Sequence, residues 1–442
     1  MGCSQGEVTL ALFVIGPDGG NPFRPPSMAT EARFRVEGSL QTVQTAPVTP
    51  GGAFTLEVTA PPHDDPVRGV LEAYQGDTLL GWGATPPLRW RTLGPTFLPV
   101  FVQRRDTLVP SPWGTGTART RPFLATLDGN FVVALGGAAE RSRVDVYDLA
   151  LFAPVTGAAA LDDVFNRGAS VLRLRDGSFL IVRGCVAAVW QPADNSMTAP
   201  RTSPPTGRCD LAGSTAVQDP DGGGILLGGR TPMGPSPRVD RVLADGTWMA
   251  AAPLRVARET PEALRIGPGE VFVVGGQPDE APAMERYNET VPDTLRVVTT
   301  GDPSLDARRG ATLVALREGV ALMLGGSTPG GGLAADDVVL DLGCVAGGCA
   351  PVIGRPVLLS QRRAGAAAAR AEGEHVVVAG GTGPGGAVAD AVEVIDGSTP
   401  RQPEPRGRVA DLPYTGLSMI ALSTGVVLVA GGGREETWFY RH

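Results

Sequence analysis

Six arginines stand at like places in a recurring phrase: Arg121, Arg167, Arg208, Arg258, Arg309 and Arg363. Three of them read RGAS, RGAT and RAGA, each just ahead of a short apolar run. A guanidinium stays charged at any ordinary pH and presents a planar fork of donors. Gathered round one opening, six of them would grip an acidic ligand, a carboxylated peptide or a uronic-acid glycan. The same residues could instead bond backbone carbonyls of the neighbouring repeat, and sequence leaves both readings open.

Other chemistry is thinly supplied. All 38 basic residues are Arg, so Schiff-base or general-base lysine catalysis is excluded. The histidines are His63, His375 and His442, there is no CxxC, and no metal or other cofactor is expected. There is no P-loop, no dinucleotide fingerprint and no Ser-His-Asp grouping with usable spacing. DPDGGG at 219–224 has spaced carboxylates but runs straight into ILLGG, which suits a hairpin turn better than a calcium loop. Asp162–Asp163 and Asp336–Asp337 read as solvated loop acids. A net charge of −8 and the lack of a long basic run argue against nucleic acid as a partner.

Five cysteines complete the reactive set. Cys185 and Cys209 are expected to pair across neighbouring repeats, and Cys344 with Cys349 in the loop CVAGGC, as in an oxidising compartment. Cys3 is left over in MGCSQGE. That stretch is similar to the end of a bacterial lipobox, where a small residue precedes the lipid-bearing cysteine. Lipidation of Cys3 is therefore expected, with a hydrophobic signal upstream in the native precursor and Met1 supplied for expression. A lipid anchor would then be the membrane contact, since no apolar stretch approaches the roughly 20 residues of a spanning helix.

The elements that must position these residues are strands. Residues 7–106 carry alternating or continuous apolar runs such as ARFRVEG and GVLEAYQG, broken by GPDGG, TPGGA and PPHDDP. They read as a small β-sandwich of immunoglobulin-like or transthyretin-like kind, after a tether at 1–6. Beyond it a glycine pair ends an apolar run at 136–137, 228–229, 275–276, 325–326, 380–381 and 431–432, with Arg183–Gly184 filling a further place. The seven instances are spaced by 47, 45, 47, 50, 55 and 51 residues. Each holds an apolar run, a tight turn, the run ending in glycine, and a third run such as VDVYD.

This grammar resembles kelch repeats, whose pattern is a strand ending in Gly-Gly, then V-x-V-Y-D-P and a downstream Trp. VDVYD at 144–148, VWQPADN at 189–195 and Trp248 in DGTWMAAAP carry the likeness, although most repeats lack the tryptophan. The resemblance implies an all-β chain whose residues 107–442 form a seven-bladed propeller, and it is similar to kelch-like surface lipoproteins of myxobacterial type. The seventh unit stops at ETWFYRH without a fourth strand, so the linker-like TLVPSPWGTGTA at 107–118 is expected to supply it and close the ring.

Kelch-like folds include copper radical oxidases, but their His and Tyr ligands and Cys–Tyr crosslink cannot be assembled from these histidines. A sialidase would need repeated Asp boxes, and DGTW at 245–248 is an isolated partial match. The expectation is a non-enzymatic binding or scaffold module of a bacterial cell-envelope lipoprotein, in the periplasm or on the outer-membrane surface. It would engage a protein, acidic peptide or glycan through the arginine-ringed mouth. The alternative is a carbohydrate-active enzyme with its acids on the propeller loops.

Overall fold

The computed structural model describes residues 11–442 except 17–19, 26–27, 38–42, 57–64, 91–96, 139–142, 156–158, 167, 278–283, 290–295, 299, 301, 307, 318, 329, 335–336, 344–351 and 400–402. The chain is all-β. Among the described residues the one α-helix is the four-residue turn Pro303–Asp306.

The alternation that marks ARFRV as a half-buried strand is kept. Glu31–Val36 turns every second side chain inward. It lies in a five-stranded antiparallel sheet with Gln44–Pro47, Gly69–Gln75, Thr78–Ala84 and Gln103–Arg104. Ala11–Ile15 pairs in parallel with Phe97–Phe101, and the two sheets enclose one core around Phe34, Leu71, Trp90 and Val100. Trp90 is fully buried, and its indole N–H donates to Val67 O at 2.8 Å, so its polar edge is satisfied.

Seven four-stranded antiparallel sheets follow. Their first strands are Phe123–Leu127, Ser170–Arg173, Thr215–Gln218, Glu262–Gly267, Thr312–Arg317, Ala367–Arg370 and Leu417–Ala421. The second strands are the apolar runs that end at the glycine pairs. Those pairs are sterically required. At Gly137, with φ +70°, an added Cβ would lie 2.3 Å from the carbonyl oxygen of Thr120. The first strands of successive sheets are neighbours from sheet two to sheet seven, and that of sheet seven also lies beside that of sheet one. Sheets one and two share a core through Val133, Phe179 and Trp190.

The fourth strand of the last sheet comes from far upstream. Thr107–Arg119 pairs antiparallel with Arg434–Arg441, Phe439 opposite Val109. The linker-like composition thus belongs to a 13-residue strand. Trp113 on it is 7% exposed and stacks on Tyr147 of sheet one at 5.2 Å, while Phe439 meets it edge-on at 5.1 Å. One indole therefore joins the last sheet to the first.

The N-terminal sheet also contacts the last two sheets. Arg68 holds Glu37 and, in a second bidentate pair at 3.0 Å, Glu372 in the hairpin of sheet six. Trp82 Nε1 donates to His442 O at 2.7 Å. No helix among the described residues is long and apolar enough to cross a membrane.

Candidate functional site

Each arginine that precedes a first strand has a physical fate fixed by its distance from the glycine pair. Arg119, Arg258, Arg308 and Arg363 each stand 17 residues before the first glycine of their pair and donate to its carbonyl. All four are buried, and each faces an acid on the third strand of the sheet whose first strand follows it. Arg119 meets Asp145 at 2.6 Å, Arg258 meets Glu285 at 3.5 Å, and Arg363 binds Glu393. In sheet three the same duty falls to Arg208, paired with Asp240 at 2.5 Å. In sheet five Arg308 lies by Asp337, a buried acid that also accepts the Gly325 N–H.

The predicted mouth is corrected accordingly. Arg208, Arg258 and Arg363 do not ring an opening; they are 1%, 0% and 0% exposed and neutralised inside the sheets. In sheets one and five the buried position is held by Arg119 and Arg308, not by Arg121 and Arg309. Arg309 is half-buried and exchanges backbone hydrogen bonds with Ser327. Arg167 lies outside the described residues, as do Cys3, Cys344 and Cys349. Asp337, read as a solvated loop acid, is buried at 6% exposure because it opens a strand whose first four residues are covered on both faces. Cys185 and Cys209 form the expected disulfide, linking sheet two to the segment that leads into sheet three.

Arg121 has a different place. It belongs to a set of seven residues with left-handed backbone just before the first strands: Arg121, Gly168, Gly213, Thr260, Gly310, Gly365 and Gly416. Five are glycine, for which this conformation is easy. Arg121 at φ 49° and Thr260 at φ 45° are not, and a β-branched threonine there is strained. Strain of this kind persists where the surrounding structure imposes it. The Arg121 guanidinium lies over Gly365 of sheet six, where an added Cβ would come within 2.9 Å of Nη2.

Two residues after Thr260 comes Glu262. In sheets two, three and five the corresponding position holds Ser170, Thr215 and Thr312, whose hydroxyls each donate to a carbonyl of the following sheet. Sheet four puts a carboxylic acid there. The Glu262 side chain is exposed to solvent, yet enough protein surrounds it to penalise its charged form. That desolvation raises its pKa to about 7, and the nearby charge of Arg121 opposes the rise without cancelling it. A carboxyl poised near neutrality beside a fixed cation can take and return a proton at physiological pH.

Sequence reading missed Glu262 and Thr260. The signal was present in the aligned repeats, where an acid stands among Phe, Ser, Thr and Ala, and a threonine among five glycines and Arg121.

No family model matches the chain, and no curated protein does. Among solved structures it is similar to a fungal alcohol oxidase of the AA5 family in complex with copper, at TM-score 0.54 and 14% identity, over 76% of this chain and 75% of that one. A structure of YjhT aligns at TM-score 0.45 and 12% identity, over 64% of this chain and 96% of that one. The expectation of a non-enzymatic scaffold, and with it that of no enzyme, is corrected by the first of these. The shared architecture is one that an oxidase uses, so a fold of this kind is no argument for a scaffold.

Copper does not fit the described residues of this chain. His375 and His442 stack ring on ring at 3.5 Å, and His442 Nδ1 bonds Asp106 at 2.6 Å, so their nitrogens do not converge on one point. Among the described residues no group of three His, Cys, Asp or Glu could hold a metal ion.

Proposed function

We propose that the seven sheets are the blades of a kelch-like propeller, residues 107–442, following a sandwich domain at 7–106. On this reading the chain is a carbohydrate-active enzyme. Its active centre lies in the central channel, where the first strands begin, with Glu262 as general acid and base and Arg121 as substrate anchor. The observation that carries this is the Glu262 carboxyl, held near neutrality within reach of the Arg121 charge.

The chemistry follows from the pair. A protonated carboxyl with a pKa near 7 can donate to the leaving oxygen as the glycosidic C–O bond breaks, and the carboxylate left behind can take a proton from the water whose oxygen bonds the anomeric carbon. Arg121 binds an oxygen-rich or anionic group of the sugar and fixes the scissile bond against Glu262. The strain at Arg121 and Thr260 is read as the cost of setting that geometry. Supporting the propeller are the neighbour order of the first strands from sheet two through seven to one, the core shared by sheets one and two, and the strand Thr107–Arg119 that completes the last sheet. A lipid on Cys3 would tether the enzyme to a bacterial envelope.

The test is Glu262→Gln assayed on a panel of neutral and acidic oligosaccharides for product release. Loss of general acid–base catalysis should lower kcat by about 10²–10⁴-fold with a melting temperature no lower than that of the wild type. Turnover by the variant at the wild-type rate, or no turnover of any glycan by the wild type, would contradict the reading.

A further inference from the structure

A cavity of about 1540 Å³ opens at the other end of the first strands, among the hairpins of sheets two to six. It is larger than the roughly 300–1,000 Å³ of a site for one drug-sized molecule, so it has room for an oligomer. Its floor includes Leu264 and Leu342, and five arginines reach it: Arg175, Arg241, Arg265, Arg317 and Arg370.

Their charges are not equally spoken for. Arg265 binds Asp219 and, at 2.8 Å, Glu289; Arg241 binds the same two acids, at 3.2 Å for Asp219. Arg370 pairs with Glu374 in its own hairpin. Arg175 and Arg317 are exposed to the cavity and have no ion-pair partner among the described residues. Arg175 is fixed at its backbone, donating its N–H to Ala244 O at 2.9 Å, while its guanidinium is free to meet a ligand. Asp221, exposed on the same wall, supplies a carboxylate that can accept hydroxyl protons.

Two unneutralised guanidiniums and a hydroxyl acceptor in one large cavity match a ligand that carries both carboxylates and hydroxyls. The cavity is also connected to the proposed chemistry. Leu264 in its floor is two residues from Glu262 on the same strand, a distance of about 7 Å. We infer that this cavity binds the substrate chain and that the substrate is an acidic glycan, a uronate oligosaccharide whose carboxylates are taken by Arg175 and Arg317. This deepens the enzyme reading and rests on it for the identification of the ligand as a sugar. Guanidinium–carboxylate pairs are geometrically matched and bidentate, so a neutral sugar of equal length would lack the main contacts.

Isothermal titration of the full chain with a uronate trisaccharide and with its neutral hexose counterpart tests this. The uronate should bind at least tenfold more tightly than the neutral sugar. Arg175→Gln with Arg317→Gln should abolish that preference while the melting temperature holds. Equal binding of the two sugars by the wild type, no binding of the uronate, or an unchanged preference in the double variant would overturn the assignment. Glu262→Gln keeps the two claims apart, since it should bind the uronate normally. If it binds and still turns the sugar over, the acid–base role fails while the binding site stands.

Discussion

Two sets of arginines, one ahead of the first strands and one in the hairpins that end them, live in opposite environments. Where the strands begin, Arg119, Arg208, Arg258, Arg308 and Arg363 are buried and faced by acids inside the sheets. Where the strands end in hairpins, Arg175 and Arg317 stand exposed in a cavity without an ion-pair partner among the described residues. The same residue type is thus scaffold in one place and candidate ligand in the other. Burial and partners decide which, because a guanidinium cannot shed its charge and a buried one must be paired.

That contrast makes a prediction at each end, and the largest effect belongs to the buried set. Arg363→Ala strands Glu393 and the Gly380 carbonyl inside sheet six and should cost about 3–5 kcal/mol in denaturant unfolding. Arg175→Ala, which strands nothing, should stay within about 0.5 kcal/mol of wild type in the same experiment. Equal losses would erase the distinction.

Closure between the last and first sheets should be comparably sensitive. Trp113→Ala leaves a hole between Tyr147 and Phe439 and should cost about 3–5 kcal/mol, read as a lower denaturant midpoint. Reducing the Cys185–Cys209 bridge, 24 residues apart, should cost roughly 3 kcal/mol by the chain-entropy argument. Smaller still, Thr260→Gly relieves a left-handed β-branched residue and should stabilise the fold by up to about 1 kcal/mol. If the strain serves the proposed site, turnover falls in the same variant.

The Glu262 titration gives a pH dependence whose sign is fixed. Its pKa is raised on folding, from 4.5 to about 7, so the native state binds the proton more tightly than the unfolded chain does. Its contribution to stability is therefore complete below about pH 4.5 and is lost as pH rises through 7. Thermal melts of wild type and Glu262→Gln from pH 4 to 8 should show this slope in the wild type and its absence in the variant.

Much of the fold was legible because glycine pairs mark steric necessity. Their spacing located every second strand, and the missing fourth strand of the last repeat pointed to the segment from Thr107. The arginines were harder. Arg119 and Arg121 lie two residues apart in one short stretch, and only the left-handed turn between them and the first strand decides which is buried. Sequence reading chose Arg121 and Arg309 where the buried positions are Arg119 and Arg308. Asp337 was misread for a related reason, since an acid beside another acid looks solvated until its strand is known to be covered on both faces. Glu262 is marked in the sequence only as the one acid at its place in the aligned repeats. Its altered acidity comes from desolvation by the folded surroundings, against which the Arg121 charge works.

The most direct measurement is the ionisation of Glu262 itself. In protein labelled with ¹³C at the glutamate carboxyl, one resonance, absent from Glu262→Gln, should titrate with a midpoint near 7. A midpoint near the ordinary 4.5 would contradict the account, because a carboxylate ionised throughout the physiological range could not serve as the proton donor.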